Sequence, residues 1–300
     1  MRLLIAGWHG LVARALIEAA PSRPEIKALA AGRPALDVRD PRSIERAFGD
    51  LSPDMVINSA AYTAVDKAEH DRDAVFAMNR DGAALLARAA ARRNIPVIHL
   101  STHYVFDGSK PAAYDEHDQP SPATVYGRSK YEGECAVADA NPRHVIIRTG
   151  WVFSTAPNGF AARMLAQAQS GEHLRVVADQ RGNPTYAPHL AAAILEIACR
   201  LAAAPSEKNG ASDAMPWGTY HAAGSGEATW HSLACELIAR TPAARPSAAP
   251  EAIASSDYPA AAPRPVNATL NCDKFERVFA LRLPPWQRGV TECVAALGAR

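Results

Sequence analysis

Short apolar runs alternate with longer amphipathic stretches over the first 150 residues. The runs predict strands at 3–6, 26–30, 55–58, 97–101 and 145–149. The stretches between them predict helices at 11–20, 41–49, 73–93 and 123–140. Parallel strands need crossover connections, and helices supply them, so this order predicts an α/β fold with a doubly wound parallel sheet. The runs are apolar over consecutive positions instead of alternating with polar residues, as is typical of strands buried on both faces.

The pattern is less regular after residue 150. Helices are predicted at 160–170, 188–203 and 285–298, with a short apolar run at 174–177 and a turn-rich segment at 179–184. Residues 204–216 and 241–265 are rich in Ala, Pro and Ser and are predicted to be surface loops. We therefore expect one domain over 1–150 and a smaller C-terminal α/β lobe over 151–300, interleaved with the first.

Composition excludes several classes of protein. The chain has 300 residues, 48% of them apolar and 21% charged, with a net charge of +1. The basic residues are scattered, which argues against nucleic acid or an anionic membrane as partner. No run approaches the ~20 apolar residues of a membrane span, and the N-terminus lacks a secretory signal. The five cysteines form no C-x-x-C pair, so we expect reduced thiols, no metal and a cytoplasmic location.

The first predicted strand runs directly into a glycine-rich turn, which a helix follows. Its spacing is G-x-x-G-x-x-A, from Gly7 through Gly10 to Ala13. In a dinucleotide fold, such a turn brings bare backbone and helix N–H groups close to a pyrophosphate. Gly7 would permit the tight turn and Gly10 the close approach, with Leu11 and Val12 beside the cofactor. The alternative is an ordinary strand-end turn.

The ends of the next two predicted strands complete this cofactor site. The second strand is followed by Ala31-Gly32-Arg33, which lacks the carboxylate that would hold a ribose hydroxyl. We therefore favour NADPH slightly over NADH, although Arg33 could equally be a solvated loop residue. Asp37 and Val38 are expected at the adenine pocket. Small or polar residues after the third strand would let a cofactor lie across the sheet edge: Ala60, Ala61, Tyr62 and Thr63.

Tyr126 and Lys130 carry the candidate proton chemistry. At spacing i, i+4 they share one helix face. A nearby ammonium would bring the pKa of a phenol down toward the working range. Thr102, at the end of the fourth predicted strand, could bond a substrate carbonyl at the edge where open α/β sheets bind ligands. The alternatives are a chance Tyr/Lys pair and a threonine that merely caps a strand.

Longer stretches resemble the dTDP-4-dehydrorhamnose reductase family of extended short-chain dehydrogenase/reductases, over essentially the whole chain. The matching stretches are PDMVINSAAYTAVDKAE at 53–69, STHYVFDG at 101–108, YGRSKYEGE at 126–134, RTGWVF at 148–153, DQRGNPT at 179–185 and RPVNATL at 264–270.

The resemblance implies a Rossmann-type NAD(P)-binding domain with a small substrate-binding lobe. It also implies hydride transfer from NADPH or NADH to C4 of a 4-keto-6-deoxy sugar nucleotide. Tyr126 would protonate the new alkoxide, Lys130 would lower its pKa, and Thr102 would hold the oxygen. Trp151 would contact the sugar. The implied setting is dTDP-L-rhamnose synthesis for lipopolysaccharide and related polysaccharides.

Three departures from the family pattern bear on this expectation. His103 stands where the family usually has an acid, so it would lie at the substrate and could alter the pH profile, or it could face the lobe interface. Ala13 replaces a glycine and should be tolerated. Some members bind magnesium at a dimer contact through surface glutamates, but residue 15 is alanine, and although Glu196 and Glu292 remain, we predict no metal.

Two alternatives to a reductase remain open. A sugar-nucleotide dehydratase or epimerase would share the fold, but a dehydratase needs a carboxylate pair beside the threonine, and Thr102-His103-Tyr104 lacks one. A non-catalytic nucleotide-binding regulatory subunit would tend to lose the tyrosine or lysine, and both are present. The sequence leaves the sugar, the nicotinamide cofactor and the oligomeric state open, with a homodimer as one option.

Overall fold

The secondary structure surrounds one extended parallel sheet. A computed structural model describes residues 1–171, 173–203, 216–241 and 249–298. The strands are β1 Arg2–Ala6, β2 Lys27–Ala31, β3 Met55–Asn58, β4 Val97–Thr102, β5 His144–Thr149, β6 Val152–Phe153, β7 Arg175–Val177, β8 Arg181–Gly182, β9 Thr185–Tyr186, β10 Gly218–His221, β11 Ala228–Thr229, β12 Glu251–Ile253 and β13 Asn267–Ala268. The α-helices are α1 Leu11–Ala19, α2 Pro41–Leu51, α3 Val65–Ala68, α4 Arg72–Phe76, α5 Ala83–Ala91, α6 Val125–Ala140, α7 Phe160–Ser170, α8 Ala187–Ala203, α9 Trp230–Ala239, α10 Asp273–Phe279 and α11 Trp286–Gly298.

The central sheet has six parallel strands in the order β10-β5-β4-β3-β1-β2. From β1 the chain adds β2 on one side of the sheet, and then adds β3, β4 and β5 in turn on the other side. The connecting helices therefore cover both faces. The predicted doubly wound α/β fold is confirmed. One apolar core lies under α1 and α8, and a second lies under α2 and α5. Burial on both sides explains why the strand runs are mostly apolar and do not alternate with polar residues.

The second half of the chain contributes to this sheet. β10 is the edge strand beside β5, and α8 packs against α1 on one face. Three elements of this half, β10, α9 and α10, were not predicted from sequence. β10 reads Gly-Thr-Tyr-His and lacks an apolar run, because an edge strand is buried less completely than a central one. The domain division at residue 150 stays a prediction, and the predicted loop 204–216 lies mostly outside the described residues.

The predicted helix over 73–93 is interrupted. It consists of α4, a π-helical turn over Ala77–Gly82, and α5. The turn directs Asn79 inward, where its side chain bonds both the backbone N–H and the carbonyl of Tyr62, at 2.8 and 3.0 Å. Asn79 also donates to Ser129 Oγ on α6 at 2.9 Å. π-turns are common at functional sites, and this one fixes the loop after β3 to α6.

Small strand pairs and helices build the C-terminal lobe. β7 pairs with β12, β6 with β9, and β8 with both β11 and β13. A separate apolar cluster joins α7, α9 and α11, with Phe153, Leu233 and Trp286 at its centre. β12 lies within the predicted loop at 241–265. This strand is too short to show the alternating pattern by which a sequence predicts a strand. Within the described residues, no helix is long and apolar enough to cross a membrane.

A buried ion pair links α6 to the central sheet. Arg148 on β5 donates to both carboxylate oxygens of Glu134, with its closest contact at 2.7 Å, and both side chains are almost fully buried. The guanidinium also lies over the Phe106 ring, 5.2 Å from its centre. Removing one partner of such a pair leaves an uncompensated buried charge.

We predict that Glu134→Ala lowers the free energy of unfolding by about 3–5 kcal/mol, because Arg148 would lose its counter-charge in the core. Urea-induced unfolding followed by circular dichroism measures this loss. The control is Glu236→Gln, which breaks the i, i+4 pair with Arg240 on α9 and should cost less than about 1 kcal/mol. Equal losses in the two variants would contradict the assignment.

Candidate active site

A cleft of about 1230 Å³ lies between the sheet and the C-terminal lobe. Its floor is formed by the segments that follow β1, β3, β4 and β5, where the carboxyl ends of parallel strands meet. The opposite wall is formed by α7, β7, Trp230 and residues 255–256, 258–260 and 262–265. Asp66 anchors that wall, since its carboxylate accepts from Ala262 N at 3.0 Å and from Arg264 at 2.5 Å. The lobe therefore closes over the strand ends.

Thr102, Tyr126 and Lys130 lie together in this cleft. Thr124 caps α6 by accepting from Gly127 N at 2.9 Å, which places Tyr126 and Lys130 in its first two turns. Thr102 ends β4 and is hydrogen-bonded to Tyr126. Lys130 Nζ donates to the Leu100 carbonyl at 2.6 Å. The structure thus brings together the three residues predicted for proton transfer.

Burial dominates the electrostatics of this pair. It raises the pKa of Tyr126 to about 12, against a smaller lowering by the Thr102 hydrogen bond, and it lowers the pKa of Lys130 to about 8. The prediction that Lys130 brings the pKa of Tyr126 down is therefore wrong for the unliganded protein. The reason is that burial outweighs the contacts that favour the phenolate, and Lys130 Nζ is directed to the Leu100 carbonyl.

His103 lines the cleft beside Thr102. Its ring lies 4.5 Å from that of Tyr104, and among the described residues its buried Nδ1 has no hydrogen-bond partner. A Cβ on Gly150 would fall 2.3 Å from His103 Nδ1, so glycine is what gives the imidazole its space. Burial lowers the pKa of His103 to about 4. The imidazole is therefore neutral at physiological pH and would add no titration near neutrality to the pH profile.

Trp151 and Trp230 form an aromatic wall of the cleft. Their rings stack at 3.9 Å, and a Cβ on Gly182 would collide with the Trp151 indole. Trp151 has a positive φ of 48°, a conformation that costs energy for a bulky residue and is often retained at functional sites. Trp230 packs in the lobe and also lines the cleft, a role that its separation from Trp151 in sequence conceals.

The two glycines of the first turn meet different constraints. Gly7 has a φ of +91°, and a Cβ there would lie 2.8 Å from the Ala60 backbone. Gly10 precedes α1, faces the cleft, and has no protein atom within 4 Å of its Cβ position. Leu11, Val12 and the small Ala13 continue the same wall. Gly7 is therefore required by the fold, whereas Gly10 leaves open space for a ligand.

The other predicted cofactor residues divide into two groups. Ala61 and Thr63 line the cleft, while Ala60 and Tyr62 support the same loop from behind. Arg33, Asp37 and Val38 do not reach the cleft wall. Arg33 is exposed, and Val38 is buried against Gly82. Asp37 pairs with Arg39 at 2.7 Å, and that contact lowers the pKa of its carboxyl to about 2.

The two glutamates considered for a metal are paired with cations. Glu196 accepts from Arg23 and Arg200, and Glu292 accepts from His189 and Arg288. Across the part of the chain that the structure describes, no three His, Cys, Asp or Glu side chains form a metal-binding group.

Burial of neutral His103 makes a prediction about acid stability. The unfolded chain takes up a proton near the ordinary pKa of 6.5, whereas the folded protein resists until about pH 4. The stability contributed by neutral His103 is complete above pH 6.5 and is lost as the pH falls from 6.5 to about 4. We expect His103→Gln to reduce the loss of unfolding free energy over that window by about 3 kcal/mol.

Urea midpoints measured between pH 7 and pH 4 would test this expectation. The exposed His70 provides the control variant His70→Gln, which should follow the wild-type curve. If His103→Gln also follows that curve, His103 is not held neutral by the fold.

Comparison with known proteins finds relatives that match the chain over nearly its whole length. The family model for the RmlD substrate binding domain matches residues 1–299. The dTDP-4-dehydrorhamnose reductase of Sinorhizobium fredii is 44% identical over 99% of this chain and 98% of its own. That of Burkholderia thailandensis is 37% identical over 99% of each chain. A crystal structure of dTDP-4-dehydrorhamnose reductase from Bacillus anthracis in complex with NADP superposes with a TM-score of 0.88 at 28% identity, covering 98% of this chain and 99% of that one.

These similarities span essentially the whole chain, including both walls of the cleft. The chain belongs to the dTDP-4-dehydrorhamnose reductase family.

Proposed function

We propose that this protein is an oxidoreductase that uses NADPH or NADH to reduce the C4 keto group of dTDP-4-dehydro-L-rhamnose or a close 4-keto-6-deoxy sugar nucleotide. This places it in dTDP-L-rhamnose and polysaccharide precursor synthesis. The observation that carries the proposal is the meeting of Thr102, Tyr126 and Lys130 on one cleft floor, between the glycine turn and the aromatic wall. The names of the relatives support the same reaction.

The glycine-turn side of the cleft fits a dinucleotide. The open space at Gly10 and the N-terminus of α1 suit a pyrophosphate, because unpaired helix N–H groups and the helix dipole favour anions. Gly10, Leu11, Val12, Ala61 and Thr63 would hold the cofactor, which supplies the hydride when bound. The slight preference for NADPH stays a prediction, since Arg33 is exposed and lies outside the cleft wall.

Tyr126 and Thr102 would bind the substrate oxygen, and Tyr126 would protonate it. Because the pKa of Tyr126 is about 12, its phenol is protonated at neutral pH, as a proton donor must be. Both hydroxyls can bond the C4 oxygen, and Tyr126 gives its proton to that oxygen as the C4–H bond forms. Burial makes the remaining phenolate costly, so the Lys130 ammonium would offset its charge. Tyr126 then regains a proton before the next turnover.

The lobe side of the cleft fits a sugar nucleotide. Stacked Trp151 and Trp230 offer an apolar face for a deoxysugar, with His103 as the polar neighbour on the floor. Arg163, Arg175 and Arg264 line this wall, the last two paired with Glu251 and Asp66 outside it, while no carboxylate lines the cleft among the described residues. The charge pattern suits a diphosphate, and the missing carboxylates disfavour a dehydratase, which needs an acid–base pair.

Two accompanying expectations concern the whole molecule. The five cysteines are free thiols, which supports the cytoplasmic location that we propose. A homodimer stays a prediction.

The glycine turn yields one prediction about cofactor binding. Gly10→Ala should raise the KM for NADPH at least about tenfold with unchanged stability, because the new methyl group occupies only the ligand space. Gly7→Ala is the contrasting variant, since its Cβ would strain a positive φ and meet Ala60. It should lower the melting temperature. Initial rates and thermal unfolding of both variants separate the two roles, and an unchanged KM in Gly10→Ala would contradict the cofactor assignment.

The proton donor yields a second prediction. Tyr126→Phe should lower kcat by about 10²–10⁴-fold at neutral pH, with little change in cofactor affinity, because only the donated proton is removed. Loss of NADPH absorbance with dTDP-4-dehydro-L-rhamnose measures the rate, and other 4-keto sugar nucleotides test the choice of sugar.

The control for that variant is Tyr220→Phe. Tyr220 is a core tyrosine whose hydroxyl bonds the Pro216 carbonyl, so its loss should leave kcat unchanged. The proposed function fails if folded, cofactor-binding protein turns over none of these sugars.

A further inference from the structure

A buried chain of hydrogen bonds leads from the end of β3 to Lys130. Asn58 on β3 and His99 on β4 face each other in the parallel register. Asn58 Oδ1 accepts from Ala60 N at 3.2 Å, and Asn58 Nδ2 lies 3.1 Å from His99 Nδ1. The other ring nitrogen, Nε2, lies 3.3 Å from Lys130 Nζ. The side chains of Asn58, His99 and Lys130 are all almost completely buried.

The hydrogen bonds of Asn58 determine which atom donates and which accepts in the rest of this chain of bonds. The Asn58 oxygen is taken by a backbone N–H, so the Asn58 amide nitrogen is the atom that donates to His99 Nδ1. A neutral imidazole carries one hydrogen, which must then be on Nε2, facing Lys130. An ammonium has three hydrogens and no lone pair, whereas an uncharged amine can accept. The chain of bonds is therefore complete only when Lys130 is uncharged and donates onward to Leu100.

We propose that His99, fixed by Asn58, is a positioning residue that holds the Lys130 amine in the cleft and favours its uncharged form in the unliganded enzyme. To meet an ammonium, His99 would have to place its hydrogen on Nδ1, against the Asn58 amide group. Either that clash or a lengthened contact with Lys130 opposes the charged form. The inference rests on the proposed function only where it concerns activity.

The charges around the pair agree with this assignment. Glu134 favours the Lys130 ammonium, but its carboxylate is already bound by Arg148. Burial outweighs Glu134, so the pKa of Lys130 falls. His99 stays neutral, because burial, then Lys130 and His144, lower its pKa well below the ordinary value. Tyr126, one turn before Lys130 on α6, is a neutral phenol at these pH values.

Two variants remove the donor that faces Lys130. His99→Gln can turn its amide oxygen toward the ammonium. Asn58→Asp keeps the bond from Ala60 N and accepts from Nδ1–H, so Nε2 becomes an acceptor. If the ammonium is the active form, kcat/KM falls as the pH rises through the Lys130 pKa. This fall is the alkaline limb of the pH profile. In both variants we expect the pKa that describes the alkaline limb to rise by about one unit, which corresponds to the free energy of one hydrogen bond. A merely structural role would lower the rate without moving the limb.

The direct test is ¹⁵N NMR of histidine-labelled, unliganded protein above the Lys130 pKa, with the His99 signals assigned from His99→Gln. The proposal requires the ring hydrogen on Nε2 in the wild type and on Nδ1 in Asn58→Asp. A wild-type ring protonated on Nδ1, or an alkaline limb unmoved in His99→Gln, overturns it. The tautomer is read without substrate, so failure of the proposed reaction, seen as no turnover with any sugar nucleotide, is a separate result.

Discussion

The close approach of α6 to the end of β4 is the constraint on which the site depends. A Cβ on Gly127 would lie 2.1 Å from the Tyr104 carbonyl, and one on Gly133 would lie 2.2 Å from that of Asn79. Only glycine permits these distances. They set the helix against the π-helical turn and the segment after β4, so Tyr126 reaches Thr102 and Lys130 reaches Leu100. The reactive geometry is thus a consequence of backbone packing.

The C-terminal half supplies what the sheet lacks. β10 and α8 belong to the sheet and its covering layer, which fixes the lobe to the first half of the chain. From that base, Trp230 stacks on Trp151, and the Asp66 contacts hold residues 262 and 264 over the opening. The enclosed cleft removes water from Tyr126 and Lys130, and the same burial shifts the pKa of each toward its neutral form.

The sequence predicted features whose signal is local. Apolar runs marked β1 to β5, and the Tyr126/Lys130 spacing marked a shared helix face. β10 was missed because an edge strand of Gly-Thr-Tyr-His has no apolar run. α9 was also missed, but its start carries a local signal, since Thr229 and Ser232, three residues apart, form a capping box. The pKa of Tyr126 was predicted in the wrong direction because burial depends on the assembled fold. His99 stood as a polar residue within an apolar strand, a signal of a buried role whose partners only the structure identifies.

In the proposed reaction, the nicotinamide gives a hydride to C4 of the keto sugar, and Tyr126 gives a proton to its oxygen. Reduction of dTDP-4-dehydro-L-rhamnose with NADPH deuterated at the transferable position of the nicotinamide follows that hydride to its destination. NMR and mass spectrometry of the product should show one deuterium, located at C4 of the sugar. A product without deuterium, or with deuterium at another carbon, would contradict the account.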